Sequence, residues 1–295
     1  MSTTRLLINE YEYFAPESLH DALDLLSTGS DVKILAGGTD LLVKLKSGVD
    51  IPLKIMLDTK HVAKELDFVI QNSYGLEIGA LTKLSTLEKH EALKAYPALF
   101  EALPLMASVA VRNMGTIGGN LANASPAADT ACPLIVHDAT VCLSSADGDR
   151  EILLHDFFKG PGKCDLMNDE MIVSIRLPEP AKDSGSCFLK KTRVKPDIAK
   201  ISATAYVERD GDILSACKVA LGSVAATPLC LCEIAMGVVA KKATKDVFKN
   251  LADEISSAIK PIDDNRSTAE YRRELTRLMV FEALQKAWER AGGTL

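Results

Sequence analysis

Residues 111–141 read VRNMGTIGGNLANASPAADTACPLIVHDATV and contain a glycine-rich loop at 115–120. The loop follows an apolar segment that predicts a buried helix over 99–111. A shorter loop at 36–40, AGGTD, follows the run VKIL, which predicts a strand. Glycine permits positive φ and close backbone approach, so consecutive amides can converge on an anion, with threonine hydroxyls as further donors. Either loop alone is also compatible with ordinary turn chemistry.

Neither loop matches the common nucleotide-binding motifs. No GKS or GKT follows either loop, which excludes a P-loop, and neither has the GxGxxG spacing of a Rossmann fold. The two loops lie about 80 residues apart. We expect them to hold one diphosphate between two subdomains, an arrangement that suits a long dinucleotide such as FAD.

The hydrophobic pattern predicts an α+β chain in three units. A helix over 16–26 and strands around 32–35 and 51–58 form a small α/β unit, residues 1–60. Residues 61–178 form a second unit of strands and helices, with one helix capped near Thr82 or Ser85.

A linker after Pro178 precedes the third unit, residues 185–291. Strands around 198–208 and 212–221 come first there, and helices follow. Ser267 and Glu270 predict a capping box at the start of the last helix, which ends near two consecutive glycines.

The bulk composition excludes several classes of function. A net charge of −6 argues against a nucleic-acid binder, because neutralising phosphates requires clustered Lys and Arg. No apolar run is long enough for a membrane span or a secretory segment, so we expect a soluble, cytoplasmic protein. Seven cysteines without a CxxC pair and five histidines without metal spacing predict free thiols and no metal site.

Four segments carry a resemblance to one family: KILAGGTDLLVKLKSG at 33–48, the stretch at 111–141, LGSVAATP at 221–228 and DNRSTAEYRRELTRLMV at 264–280. In this order they resemble the FAD-binding medium subunit of the xanthine dehydrogenase and carbon monoxide dehydrogenase group, the molybdenum hydroxylases. The resemblance implies a PCMH-type FAD-binding domain of two α/β subdomains, followed by a C-terminal domain with a three-stranded sheet and a helical bundle.

The resemblance also implies which residues contact FAD. The first loop would wrap the diphosphate and adjoining ribose, and the second would complete the cradle and approach the flavin. Asp129 would accept hydrogen bonds from ribose hydroxyls, and Lys190 would stabilise a reduced, anionic flavin. The complete set is Ile34, Leu35, Ala36, Gly37, Gly38, Thr39, Asp40, Leu41, Met106, Ala107, Thr116, Gly119, Asn120, Leu121, Ala122, Asp129, Leu166 and Lys190.

Several of these assignments have structural alternatives. Asp129 is also a candidate N-cap for the helix that starts in TACPL. Met106 and Ala107 would look the same on the face of an apolar helix. The position given to Lys190 can shift to Leu189 or Lys191.

The position of Cys164 also has two interpretations. Relatives often carry Thr where Cys164 stands. The cysteine is therefore either a reactive thiol or an isosteric replacement in a loop.

The resemblance implies an electron-transfer subunit with no catalytic side chain of its own. A large subunit would carry the molybdenum cofactor, and a small subunit would carry [2Fe–2S] clusters. Electrons would pass through FAD on this chain to NAD⁺ or another acceptor, in a heterotrimer. The alternatives are a stand-alone flavin oxidoreductase of the same superfamily and a scaffold protein that has lost FAD.

Overall fold

The amino-terminal unit is a parallel sheet flanked by helices. The computed structural model describes residues 10–29, 31–49 and 51–295. The prediction that the chain has no secretory segment rests partly on residues 1–9, which lie outside the described residues. The strand order is β1-β3-β2. The elements are β1 (Glu12–Phe14), α1 (Leu19–Ser27), β2 (Val32–Leu35), α2 (Leu41–Lys46) and β3 (Ile55–Asp58); α3 (Ala63–Leu66) comes next in the chain.

The second unit is built on an antiparallel sheet of order β4-β5-β10-β6-β7. Its last strand in sequence, β10, therefore lies at the centre of the sheet. A small hairpin, β8-β9, stands beside it. The strands are β4 (Val69–Asn72), β5 (Gly75–Gly79), β6 (Thr140–Ser145), β7 (Gly148–Leu153), β8 (Phe158–Gly160), β9 (Lys163–Cys164) and β10 (Met171–Pro178).

Short helices cover this sheet and lead into the glycine-rich loop. They are α4 (Leu84–Leu87), α5 (Pro97–Ala102), α6 (Val109–Met114), α7 (Ile117–Ala122), α8 (Ala131–Val136) and α9 (Leu154–Phe157). The helix predicted over 99–111 is wrong as a single element. A 3-10 turn follows α5, the chain breaks at Ala107, where φ is +39°, and Ser108 caps α6.

The predicted cap of α4 is also wrong. Lys83 occupies the N-cap position and provides no side-chain hydrogen bond. The Thr82 hydroxyl instead bonds the backbone amide and carbonyl of Phe68, which ties the start of this segment to β4.

The carboxy-terminal unit is an antiparallel sheet of order β11-β12-β13-β14 packed against long helices. The predicted three-stranded sheet is present as β11 to β13, and the two-residue β14 extends it. The elements are β11 (Ser184–Lys191), β12 (Ile201–Asp210), β13 (Ile213–Gly222), β14 (Leu229–Cys230), α10 (Cys232–Ala235), α11 (Lys245–Ala258) and α12 (Ala269–Arg290).

The cap of α12 lies one residue from its predicted place. Thr268 accepts the Tyr271 amide at 3.3 Å, whereas the buried Ser267 hydroxyl has no partner among the described residues. The helix ends as predicted, with Gly292 at a φ of +83°.

Ion pairs and a buried histidine join the second unit to the third. Arg290 of α12 pairs with Glu101 of α5, and Lys218 of β13 pairs with Asp138, just after α8. Between these pairs, the His137 ring stands edge-on to the rings of Tyr96 and Tyr206. The proposed boundary at residue 60 falls between β3 and α3, and the proposed linker at 178–185 runs from the last residue of β10 to the second residue of β11. They remain predictions.

No helix within the described ranges is both long and apolar enough to cross a membrane.

Candidate cofactor-binding site

A cavity of about 1040 Å³ lies where the three units meet. The first glycine loop, between β2 and α2, and the second loop, between α6 and α7, both line it. Further lining residues come from the hairpin β8-β9, the loop before β10, and β11 of the C-terminal unit. Its size lies at the upper end of small-molecule and cofactor pockets, which span about 300–1,000 Å³.

The first glycine loop approaches the second with no room for a side chain. A Cβ built on Gly37 would lie 2.1 Å from the carbonyl oxygen of Met114 and 2.8 Å from the Cα of Gly115. Gly38 adopts a φ of +68°, in the region that favours glycine. The sequence thus folds the two loops into one continuous wall.

The first loop offers donors that the protein does not use. Within the described ranges, the amides of Gly37, Gly38, Thr39 and Asp40 make no hydrogen bond to another backbone or side-chain group. All four residues line the cavity. A row of unbonded amides in a turn is a common binding geometry for phosphate oxygens.

The second loop is held rigidly by its own bonds. Thr116 caps α7 by accepting the Gly119 amide at 3.1 Å. The Gly118 amide donates to the Ala80 carbonyl at 2.9 Å, and a Cβ on Gly118 would lie 2.8 Å from Ala80 Cβ. Only a glycine permits this approach to the turn after β5.

One hydrogen bond spans the cleft beside the loops. Lys44 of α2 donates to Asn123 Oδ1 at 2.6 Å. Nearby, the Thr130 hydroxyl donates to Asn120 Oδ1 at 2.6 Å, which fixes the orientation of the Asn120 amide. The first and second units are therefore joined at the wall of the cavity.

A buried ion pair forms another part of the wall. Lys190 Nζ of β11 lies 2.6 Å from Asp129 Oδ2 and 3.0 Å from the Leu105 carbonyl. Desolvation raises the pKa of Asp129 to about 6, against the opposing effect of the Lys190 charge. The other carboxylate oxygen, Asp129 Oδ1, is buried without a partner among the described residues. Such an atom calls for a ligand that donates a hydrogen bond.

This geometry bears on two of the alternatives that the sequence left open. The N-cap of α8 is Thr130, without a side-chain bond, and Asp129 is used by Lys190 instead. Lys190 lines the cavity, whereas Leu189 packs in the C-terminal core and Lys191 is exposed.

Three residues that the resemblance gives as cofactor contacts outside the glycine loops, Met106, Ala107 and Leu166, occupy two irregular segments. Met106 and Ala107 form a turn between a 3-10 helix and α6, so the interpretation as one apolar helix face is wrong. Leu166 follows Cys164 in the loop after β9. Burial raises the pKa of the Cys164 thiol, which disfavours the thiolate and favours the interpretation as a replacement for threonine.

The Leu166 loop is fixed by a charged network. Glu170, which lines the cavity, accepts two bonds from Arg150, at 2.5 and 2.8 Å, and the Met167 amide at 2.8 Å. Arg150 also donates to the Asp165 carbonyl at 2.5 Å. Hydrogen bonding from Arg150 lowers the pKa of Glu170, so this carboxylate stays charged.

The structure brings nearly all the predicted site residues together. Two of the predicted residues do not line the cavity. Leu121 is fully buried in the core of the second unit, and Leu35 lies behind Gly38. The residues that do line it are Ile34, Ala36, Gly37, Gly38, Thr39, Asp40, Leu41, Met106, Ala107, Thr116, Gly119, Asn120, Ala122, Asp129, Leu166 and Lys190.

Sequence reasoning missed the cations at the cavity and the loop after β11. Lys33, Lys44, Lys159 and Lys163 line the cavity, as does the segment 196–198. Lys33 and Lys44 lie inside the first family-like segment, so their proximity to the glycines was a usable signal. No pattern in the sequence places the other residues nearby.

Three features test whether a dinucleotide cofactor fits these residues. Unbonded amides suit a diphosphate, the partnerless Asp129 oxygen suits a hydroxyl or ring N–H donor, and Met106, Ala107 and Leu166 offer apolar contacts for a ring system. The donors and acceptors present therefore fit FAD.

Comparison with known proteins identifies the family. Residues 9–180 match the FAD binding domain in molybdopterin dehydrogenase, and residues 186–287 match the CO dehydrogenase flavoprotein C-terminal domain. The chain is 34% identical to the glyceraldehyde dehydrogenase medium chain of Sulfolobus acidocaldarius, covering 94% of this chain and 98% of the relative.

Solved structures show the same fold. Carbon monoxide dehydrogenase from Hydrogenophaga pseudoflava superposes with a TM-score of 0.91 at 32% identity, covering 96% of this chain and 98% of that one. Quinoline 2-oxidoreductase from Pseudomonas putida 86 gives a TM-score of 0.89 at 28% identity, covering 96% and 98%. Both domains and the full-length likeness agree, and the chain belongs to the family of FAD-binding medium subunits of molybdenum hydroxylase oxidoreductases.

Proposed function

We propose that the chain binds FAD in this cavity and passes electrons from iron–sulfur clusters of a partner subunit to NAD⁺ or another acceptor. One observation carries the assignment of the cavity. Asp129, whose buried Oδ1 has no partner among the described residues, lines the same cavity as the unbonded amides of the first glycine loop. A ligand with both phosphate oxygens and hydrogen-bond donors satisfies both.

Different residues of the chain would bind different parts of the cofactor. The amides of Gly37, Gly38 and Thr39 would bind the diphosphate, while Asp129 would accept a hydroxyl or N–H proton. The apolar turn at Met106 would contact the ring system and exclude water. Bound FAD would supply electron transfer in steps of one or two electrons, which lets it join iron–sulfur clusters to a two-electron acceptor.

The proposed partners are a large subunit with the molybdenum cofactor and a small subunit with [2Fe–2S] clusters, in a heterotrimer. Two relatives that cover 95% and 97% of this chain are named medium chains of carbon monoxide dehydrogenase. The rim of the cavity supports a docked partner, because Val49, Met167 and Ile198 line it and are each about half exposed or more.

A cytoplasmic location is part of the proposal. The seven cysteines are all free thiols. Free thiols are typical of a reducing compartment.

FAD titration of the apoprotein tests the cofactor site, and gentle purification with natural partners tests the complex. We expect saturable flavin binding with bands near those of free flavin, and co-purification of molybdenum, iron and two further chains. Reduction of the complex by its substrate, followed by addition of NAD⁺ or another acceptor, identifies the acceptor. Flavin in a lone chain that is reduced by a small substrate would replace the relay with a stand-alone oxidoreductase.

A further inference from the structure

The turn at Met106 and Ala107 is strained and lies in the cavity wall. Ala107 has a φ of +39°, a left-handed conformation that side chains with a Cβ disfavour. Both residues line the cavity. Something in the surrounding structure must hold this turn in place.

Two buried cations hold three consecutive carbonyls of this turn. Lys190 donates to the Leu105 carbonyl at 3.0 Å. Arg112 Nη1 donates to the carbonyls of Met106, at 2.7 Å, and Ala107, at 3.3 Å. Carbonyls that end a helical turn carry partial negative charge, so a cation on each stabilises the conformation.

Each cation is fixed by a carboxylate in a different part of the molecule. Arg112 of α6 pairs with Glu88 at 2.8 Å and is 6% exposed. Lys190 comes from the C-terminal domain and pairs with Asp129 at 2.6 Å. The strained wall is thus held from within its own domain by Arg112 and across the domain boundary by Lys190.

We propose that Arg112 and Lys190 are positioning residues that clamp the Met106–Ala107 turn, and that FAD retention depends on the docked C-terminal domain through this clamp. The inference rests on the proposed function in that it takes this cavity as the FAD site. Arg112 does not line the cavity, so its effect on FAD acts through the turn.

The test uses the full-length chain and the variants Arg112→Met and Lys190→Met. We expect each to weaken FAD binding about tenfold, because the turn relaxes from its left-handed conformation. Without FAD, amide hydrogen exchange should speed up in the segment 105–109. Arg112→Lys keeps the charge and serves where Arg112→Met does not fold.

A second substitution separates the clamp from direct contact with FAD. Glycine adopts positive φ without strain, so Ala107→Gly should restore most of the lost affinity in both clamp variants. A lost direct contact between Lys190 and FAD would not be restored. Failure of the rescue overturns the proposal.

Lys218→Met is the matched control. Lys218 also crosses the domain boundary, to Asp138, but neither residue lines the cavity. This variant should leave FAD affinity and hydrogen exchange at 105–109 unchanged. An effect equal to that of Lys190→Met would show that FAD affinity depends on domain docking in general and not on the clamp. If the wild-type chain does not bind FAD, the cavity assignment fails, and the exchange data still decide whether the clamp exists.

Discussion

Gly37 lies against the backbone of Met114, where the two glycine loops meet, and no side chain larger than hydrogen fits between them. A Cβ on Gly37 would lie 2.1 Å from the Met114 carbonyl oxygen. Gly37→Ala should therefore push the loops apart by displacing backbone. We expect at least a tenfold loss of FAD affinity and a loss of about 1–3 kcal/mol in the free energy of unfolding, as for other overpacked sites. FAD titration and urea unfolding measure the two effects.

Gly237→Ala is the control for this substitution. Nothing lies within 4 Å of a Cβ at Gly237, and its φ is not in the left-handed region. This variant should match the wild type in both measurements. A Gly37→Ala protein with normal FAD affinity would show that the loops do not form the cradle.

Thr116→Val should loosen the second loop while preserving its shape. The substitution removes the hydroxyl that accepts the Gly119 amide, which costs about 1 kcal/mol for a typical N-cap. Hydrogen exchange at the Gly119 amide should accelerate, and FAD should bind more weakly. Thr116→Ser keeps the acceptor and should retain slow exchange; equal exchange in both variants would contradict the capping role.

Glu170→Gln should destabilise the Leu166 loop. Glu170 is buried and bonded twice to Arg150, and charged hydrogen bonds of this kind contribute about 1.5–3 kcal/mol. We expect a loss of about 2 kcal/mol in urea unfolding, together with weaker FAD binding. The control is Glu151→Gln, which breaks an exposed pair with Arg176 and should cost less than about 1 kcal/mol. Equal losses of unfolding free energy in the two variants would contradict a stabilising role for the Arg150–Glu170 network.

His137 should make stability fall as the pH falls. Burial lowers its pKa to about 3, while the unfolded chain takes up the proton near the ordinary value of 6.5. The contribution of neutral His137 to the free energy of unfolding is therefore fully present above about pH 6.5. It is lost as the pH falls from there to 3, at up to about 1.4 kcal/mol per pH unit. His137→Gln should flatten the dependence of unfolding free energy on pH between 7 and 5. An unchanged slope would assign the dependence to other groups.

Local pattern and chemistry predicted the parts of the fold that depend on nearby residues. The strands β2, β3, β12 and β13 coincide with the apolar runs, and both glycine loops consist of residues that permit close backbone approach. The prediction of one helix over 99–111 was wrong because the apolar side chains of this segment face both a core and a cavity wall. Pro104 and Ser108 were the signals for the break.

The parts that resisted prediction depend on contacts between distant residues. Asp129 and Lys190 are 61 positions apart, and nothing local shows that they share one cavity. Arg112 likewise pairs with Glu88, 24 positions away, and it bonds the carbonyls of Met106 and Ala107 where the backbone breaks at Ala107. The family resemblance supplied Asp129 and Lys190 as site residues, but not the bond between them.

The position of β10 has a consequence for the order of events during synthesis. This strand pairs with β5 on one side and β6 on the other, yet it is the last strand of its sheet to leave the ribosome. Until residue 178 has emerged, β5 and β6 each expose an edge that is open to wrong pairing. The sheet of the nascent FAD-binding domain is therefore completed only by its final segment, and chaperones can bind the open edges until then.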